Sequence, residues 1–304
     1  MYTINDISEW LVNNKIEHII SGNYDQSFIT YCPLNSPKAN SITWVRHAES
    51  LNVQKLEEIG NIILLAEYGE SINSLSIPVI YVKNVHATFF KMLRFFFADE
   101  DPDNIVPNIA SSAVVETSTY GNNLYVGHLT YIGPNVVIGD NVVIRNNVTI
   151  QGKVVIGDGT IIESGTTIGA VGFGYGNNDD GTKFCVPHLG GVIIGKNVLI
   201  GANNAISRGC LGDTIIEDNV KTDNLCHIAH NDRIKEGAML TANTVISGST
   251  TVGRNVWTAP GTLLNDQIEV GDNSFLGLGT VATKSLPGDK IIAGVPARVL
   301  RERE

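Results

Sequence analysis

The sequence predicts a mainly β fold, a triangular parallel β-helix preceded by a small α/β domain, and three observations lead there. First, an aliphatic residue recurs at every sixth position from Val126 through Ile132, Ile138, Ile144, Ile150, Ile156 and Ile162 to Ile168. Second, the column returns at Ile194, Ile200 and Ile206. After a four-residue insertion it runs from Ile216 to Ala282, broken only by Thr222 and Thr258. Third, glycine follows the aliphatic in "IGDNVV", "IGDGTI", "IGKNVL" and "VGRNVW", with Asp, Gly or Asn next. Gly and Asn accept the backbone angles of tight corners. Short strands joined by such corners wrap three hexads into one coil of 18 residues, and coils stack at strand spacing, about 4.8 Å.

Composition agrees and narrows the function classes. A chain of 304 residues with 31 glycines and few charges suits a turn-rich β protein of two domains. A net charge of -10 argues against nucleic acid as the partner, since phosphate binding wants a basic surface. No apolar run approaches the roughly 18 residues that span a bilayer. The opening "MYTINDISEW" lacks the basic and apolar regions of a secretion signal. Cys32, Cys185, Cys210 and Cys226 show no CxxC pair. Together these predict a cytoplasmic protein with reduced thiols and no membrane span.

Residues 1–104 lack the repeat and are expected to form a separate α/β domain. "SITWVR", "NIILLA" and "IPVIYV" read as strands. In "HATFFKMLRFFFAD", Phe89, Phe90, Leu93, Phe96 and Phe97 fall at helical spacing and are expected in the domain core. Residues 105–286 form the β-helix, and 287–304 a C-terminal tail.

Two features of the β-helix stand out. From Ile168 to Ile194 the chain advances 26 positions where a hexad advances six, so a loop over 169–193 should protrude. It carries Phe173, Tyr175 and Phe184 among glycines, and it reads as a pocket wall rather than a disordered insertion, which would be poor in aromatics. The second is "DNLCHIAHN", 223–231. Ile228 belongs to the aliphatic column, so His230 sits at a corner and can point outward. One coil on, position 248 is a glycine, which leaves a backbone N–H accessible beside the imidazole. A base next to a bare amide donor is the minimum for acyl transfer: one takes a proton, the other holds the oxyanion. His227, one residue before Ile228, is expected to support the corner. Cys210 and Cys226 each fall four residues after a column position and are expected as small inward packing groups. His227 and His230 are three apart, which does not place them on equivalent corner positions. His18, His47, His86, His128 and His188 are scattered through other segments. No metal is expected.

The segment from "GFGY" at Gly172 through Arg208–Leu211 to "DNLCHIAHN" resembles the UDP-3-O-acylglucosamine N-acyltransferases of lipid A synthesis, more weakly as far as about residue 280. The resemblance implies a left-handed β-helix and a homotrimer with active sites between adjacent prisms. It also implies an acyl thioester donor and an amino-sugar acceptor. His230 takes the position of the family's general base and Gly248 that of its oxyanion amide, with Asn224, His227 and Asn231 as supporting residues. Phe173, Tyr175 and His188 lie in the loop that lines the family's site. Three departures matter. A second histidine of the family aligns near "LLNDQIEV", where this chain has Asp266 and Gln267. The family's uracil-binding motif, like "ITFxxNPxY", reads "ITWVRHAES" here, keeping an aromatic at Trp44 but placing His47 and Ser50 where Asn and Tyr would be. Trp44 could still stack on a base, so Trp44 and His47 are nucleotide candidates. Finally, "PGDKIIAGVPARVLRERE" resembles the ending of coenzyme-A-dependent hexapeptide acetyltransferases. Gly294, Pro296 and Arg298 are therefore cofactor candidates, with Lys284, Lys290, Arg301 and Arg303 adding positive charge for phosphates. The expected activity is transfer of an acyl group, from acyl-CoA, to the amine of a nucleotide-linked amino sugar for lipopolysaccharide or another surface glycan. The alternatives are the lipid A enzyme itself, using acyl carrier protein (acyl-ACP), and a non-catalytic trimeric sugar-binding scaffold.

Overall fold

The hexad period becomes three stacked sheets. The computed structural model describes residues 1–22, 25–70, 72, 76–100 and 105–303. It divides into two units, Met1–Asn104 and Ile105–Glu304. The second is a left-handed parallel β-helix whose faces are sheets of nine, seven and ten strands. Strands are mostly two or three residues long, and each pairs with the strand one coil on, as in Tyr131↔Thr149 and Val143↔Ile161. The aliphatic columns point inward and pack as one cluster from Leu124 to Ala297. Asparagines at the corners take left-handed φ, among them Asn141, Asn147, Asn197 and Asn243, which is the conformation the tight turn demands. Thr222 and Thr258 stay in the column. Both are buried, and their hydroxyls are satisfied: Thr222 accepts from the Gly201 amide, and Thr258 meets the Thr244 hydroxyl.

The strand register locates the two insertions. Val154 pairs with Val192 and Ile156 with Ile194, an advance of 38 against the usual 18, so 20 residues leave the stack. Their outer part forms a hairpin, Tyr175–Asn177 against Lys183–Cys185. Val192 then pairs with Thr214, an advance of 22, so four more are extruded before Thr214. Neither insertion changes the pairing around it. The tail is part of the solenoid: Lys290–Ala293 adds in parallel to Phe275–Leu276, and Arg298–Glu302 folds back on it antiparallel.

The first unit has a five-stranded sheet ordered His18–Ser21, Val79–Val82, Ile62–Glu67, Ser41–Val45, Thr30–Tyr31, antiparallel only at the first strand. Helix Val85–Phe96 packs Phe89, Met92 and Phe96 into its core. Phe90 differs from the expectation: it is 47% exposed, because the helix covers the sheet with a narrower stripe than its run of aromatics.

Candidate active site

Four departures from plain repetition stack on one edge of the prism. The 20-residue loop leaves after Ile168, the short insertion after Ile206, His230 follows Ile228, and Gly248 follows Ile246. These four column residues are successive neighbours in one sheet, and the chain turns to the same next sheet after each. The edge therefore collects everything the repeat does not need.

His230 lies against Gly248. A Cβ built on Gly248 would stand 2.7 Å from Cε1 and 2.8 Å from Nε2 of the His230 ring, so only glycine leaves room for the imidazole. The coils join here through the Ser249 amide, which donates to the His230 carbonyl at 2.9 Å. Asn231 sets the tautomer. Its Oδ1 accepts from the Cys210 amide at 3.0 Å and its Nδ2 donates to the Gly212 carbonyl, which fixes which end is oxygen. That oxygen is 3.1 Å from His230 Nδ1, so Nδ1 carries the hydrogen and Nε2 keeps its lone pair. Asn231 holds this pose at φ 62°.

The Gly248 amide is a free donor. At ordinary corners the equivalent N–H donates to an Asp or Asn side chain one coil on: Asn122 to Asp140, His128 to Asn146, Lys196 to Asp218, Arg254 to Asp272. The residue stacked on Gly248 is Asp266, whose carboxylate instead accepts from the Gln267 side chain at 3.0 Å. Among the described residues the Gly248 N–H has no partner. Asp266 and Gln267 satisfy each other and leave it available.

His188 comes from the loop to the same place. Its ring stands edge-on to that of His230, centroids 5.2 Å apart at 76°. Nδ1 donates to the Val186 carbonyl at 2.8 Å, and Nε2 is buried with no hydrogen-bond partner. Leaving such an acceptor unpaired costs about 1–3 kcal/mol. The loop reaches this close because it has no side chains there. A Cβ at Gly172 would lie 2.8 Å from His188 Nε2 and 3.1 Å from His230 Cδ2, and one at Gly174 would lie 2.9 Å from His188 Cε1. Cys210 does not pack inward as expected. The insertion shifts its register to the edge, where it is half-buried, and its Sγ, a His188 nitrogen and a His230 nitrogen lie within 4.8 Å of one another. The expectation of no metal rested on scattered histidines, and the fold removes that ground by gathering two of them with a thiol.

The other candidates are distributed. Phe173 and Tyr175 lie side by side on the outer loop, ring centroids 5.0 Å apart and planes tilted at 58°, both exposed. His227 is half-buried in strand His227–Ile228, and burial lowers its pKa. Asn224 is not beside His230: it stands at the preceding corner, accepting from the Ala202 amide at 2.7 Å. Cys226 is buried in the core, where desolvation pushes its thiol up to about 11. In the first unit Trp44 packs against His86, Phe89 and Phe90. With His47, Ser50, Arg46 and Lys55 it also lines a cleft of about 720 Å³. Gly294, at φ 104°, and Pro296, after a cis bond, turn the tail towards Arg298, whose guanidinium donates to the Ala297 carbonyl. Two of the basic tail residues are occupied structurally: Lys290 pairs with Glu302, and Arg303 caps the Asn273 and Ser274 carbonyls.

One residue lay outside the sequence reading. Asp232 is 1% exposed, accepts from the Thr250 amide through Oδ1, and has no hydrogen bond at Oδ2. Burial pushes its carboxyl up to about 8, against the pull of the Thr250 and Ala229 amides. A polar residue two after His230, at a slot that most coils fill with Val, Ala or Thr, was the available signal.

Comparison with known proteins agrees with this architecture. Residues 121–152 match the family model "Bacterial transferase hexapeptide (six repeats)". The chain is 39% identical over 134 residues to a UDP-3-O-acylglucosamine N-acyltransferase of Caulobacter sp. (strain K31), covering 44% of this chain and 39% of that protein. It is 37% identical over 129 residues to that of Wolinella succinogenes, covering 42% and 41%. The matches thus span about two fifths of these relatives' length. Among solved structures, LpxA from Bacteroides fragilis 9343, a UDP-N-acetylglucosamine acyltransferase, superimposes with a TM-score of 0.58 at 27% identity, over 63% of this chain and 73% of that one. The chain is a hexapeptide-repeat β-helix with homology to these acyltransferases.

Proposed function

We propose that this protein is an N-acyltransferase that moves an acyl group from a thioester, acyl-CoA, to the amine of a nucleotide-linked amino sugar. The observation that carries the reading is His230 Nε2, with its lone pair free, beside an unbonded Gly248 amide. The acceptor amine attacks the thioester carbonyl as Nε2 takes its proton. The carbonyl oxygen becomes an oxyanion held by the Gly248 N–H, and collapse of the tetrahedral intermediate expels the thiolate. Asn231 keeps Nδ1–H bonded and stabilises the imidazolium. Phe173 and Tyr175 offer an apolar flank to the acyl or sugar part. In the first unit the Trp44 cleft, with Arg46, His47 and Lys55, offers a ring to stack a base and positive charge for phosphates.

Self-association is part of the reading. Val137, Val155, Ile193 and Ile215 stack outward in register on the sheet that begins at the site edge. Three of them are 37–45% exposed, an apolar stripe suited to a second copy, and a trimer would set the site between neighbouring prisms.

A second reading is the UDP-3-O-acylglucosamine reaction with an acyl carrier protein donor; the names of the relatives favour its acceptor and leave the donor open. Assays offering acyl-CoA and acyl carrier protein to UDP- and dTDP-linked amino sugars separate the two. Turnover only with carrier-bound chains overturns the coenzyme A donor. His230→Ala should lower kcat by about 10²–10⁴ with the fold intact; an inactive parent across that panel would leave a sugar-binding scaffold.

A further inference from the structure

We propose that His188, Cys210 and His230 form a site for a soft divalent transition metal, zinc above all, and that its occupation switches off the base. The site goes beyond the activity proposed above; the inhibitory consequence rests on that reading.

The donors are of the right kind and in the right state. Two imidazoles and a thiol are borderline-soft ligands that suit zinc and cobalt rather than magnesium or calcium. His188 is 6% exposed. Its Nδ1–H is spent on the Val186 carbonyl, so Nε2 is necessarily the lone-pair nitrogen, and it faces the cluster with no donor to satisfy it. A backbone carbonyl holding one nitrogen of an imidazole while the other is aimed at a cavity is the usual preparation of a metal-binding histidine. A Lewis acid at that point resolves the orphaned atom. Cys210 binds as thiolate, releasing its proton to solvent on coordination.

The size is close to what zinc needs. The three donor atoms lie within 4.8 Å of one another. Zn–N near 2.0–2.1 Å and Zn–S near 2.3 Å imply donor separations of about 3.3–3.7 Å in a tetrahedron. The set must contract by about 1 Å. Two of its members can move without disturbing the stack, because His188 sits in the 20-residue loop and Cys210 in the short insertion, both outside the coil register. His230 is the fixed member. A metal on its Nε2 occupies the lone pair that accepts the proton. A metal on Nδ1 breaks the bond to Asn231 that aims the ring. Either way transfer stops, and the fourth coordination position stays open to water or to a thiolate.

Cobalt(II) titration of chelator-treated protein tests this. We expect one cobalt per chain with the near-ultraviolet absorption of a thiolate–cobalt bond. His188→Gln and Cys210→Ser should each weaken binding by about a hundredfold while circular dichroism stays that of the parent, and Cys210→Ser should lose the thiolate band. Zinc should inhibit the parent reversibly, and Cys210→Ser should lose far less of its own zinc-free rate at the same zinc concentration. Absence of stoichiometric binding, or binding and inhibition unchanged in both variants, overturns the site. Cobalt bound through Cys210 in a protein that transfers no acyl group upholds the site and overturns the functional reading instead.

Discussion

Replacing Gly248 with alanine tests the central geometry, because it leaves the amide in place and moves only the base. The added methyl would meet His230 Cε1 at 2.7 Å, Nε2 at 2.8 Å and Nδ1 at 3.1 Å. Ordinary carbon contacts lie near 3.5–4.0 Å, so the ring must retreat by about 1 Å. Behind it stand the His188 ring and the Gly172 backbone, so the retreat also pulls Nδ1 from Asn231. A displacement of about 1 Å at a reacting group costs on the order of 100-fold in rate. Gly248 is not in the left-handed region, so alanine brings no backbone strain and stability should change by less than about 1 kcal/mol. Thiol release from the acyl donor gives kcat and KM, and urea unfolding gives stability. The expected outcome is kcat down about 100-fold with KM little changed. Gly133→Ala, where the nearest contact is 3.4 Å, should behave as the parent. Parental turnover in Gly248→Ala would mean that proton transfer does not run through this imidazole.

Two further outcomes follow from the same edge. Gly172→Ala places a methyl 2.8 Å from His188 Nε2 and should lift the loop off both imidazoles, lowering turnover about tenfold or more while the thermal midpoint moves by less than about 2 °C; equal activity would remove the loop from the site. Asp232 holds its proton in the folded state up to about pH 8, against an ordinary value of 3.8 for an exposed aspartate. Below about pH 4 both states are protonated and there is no penalty. From there to about 8 only the unfolded chain is ionised, so stability falls as pH rises, by up to about 1.4 kcal/mol per unit. Asp232→Asn should therefore be more stable than the parent by about 3–5 kcal/mol at pH 8 and nearly equal to it at pH 4. A pH-independent difference in urea midpoints would refute the buried neutral carboxyl.

The solenoid was legible because its physics is local and periodic: an inward aliphatic every sixth residue and Asn or Gly at corners leave few alternatives. The neighbourhood of His230 and Gly248 followed from the same count of 18. Cys210 and His188 were not legible in that way. The reading of Cys210 uses its offset from the column and that of His188 its distance along the chain from the other histidines; both sit in insertions, where neither measure locates a side chain. Phe90 erred in the opposite direction, since helical spacing identifies a face but not how wide a stripe the sheet covers. Asn224 was carried over with its motif, yet the turn after Asp223 puts it on another corner.

The insertions were still readable by a different count. Ile168, Ile206, Ile228 and Ile246 occupy the same third of successive coils once the surplus of 20 and four residues is subtracted. A repeat protein can lengthen any corner at small cost, because extruded residues leave the pairing on either side unchanged. Placed on different edges, the two insertions and the histidine would be unrelated surface features. On one edge the long loop supplies a covering backbone and His188, the short insertion supplies Cys210 and an amide for Asn231, and the uninterrupted coils supply a rigid His230 and Gly248. Precision comes from the stack and access from the insertions. Shifting either insertion by one hexad would leave the fold and its core untouched and dismantle the site.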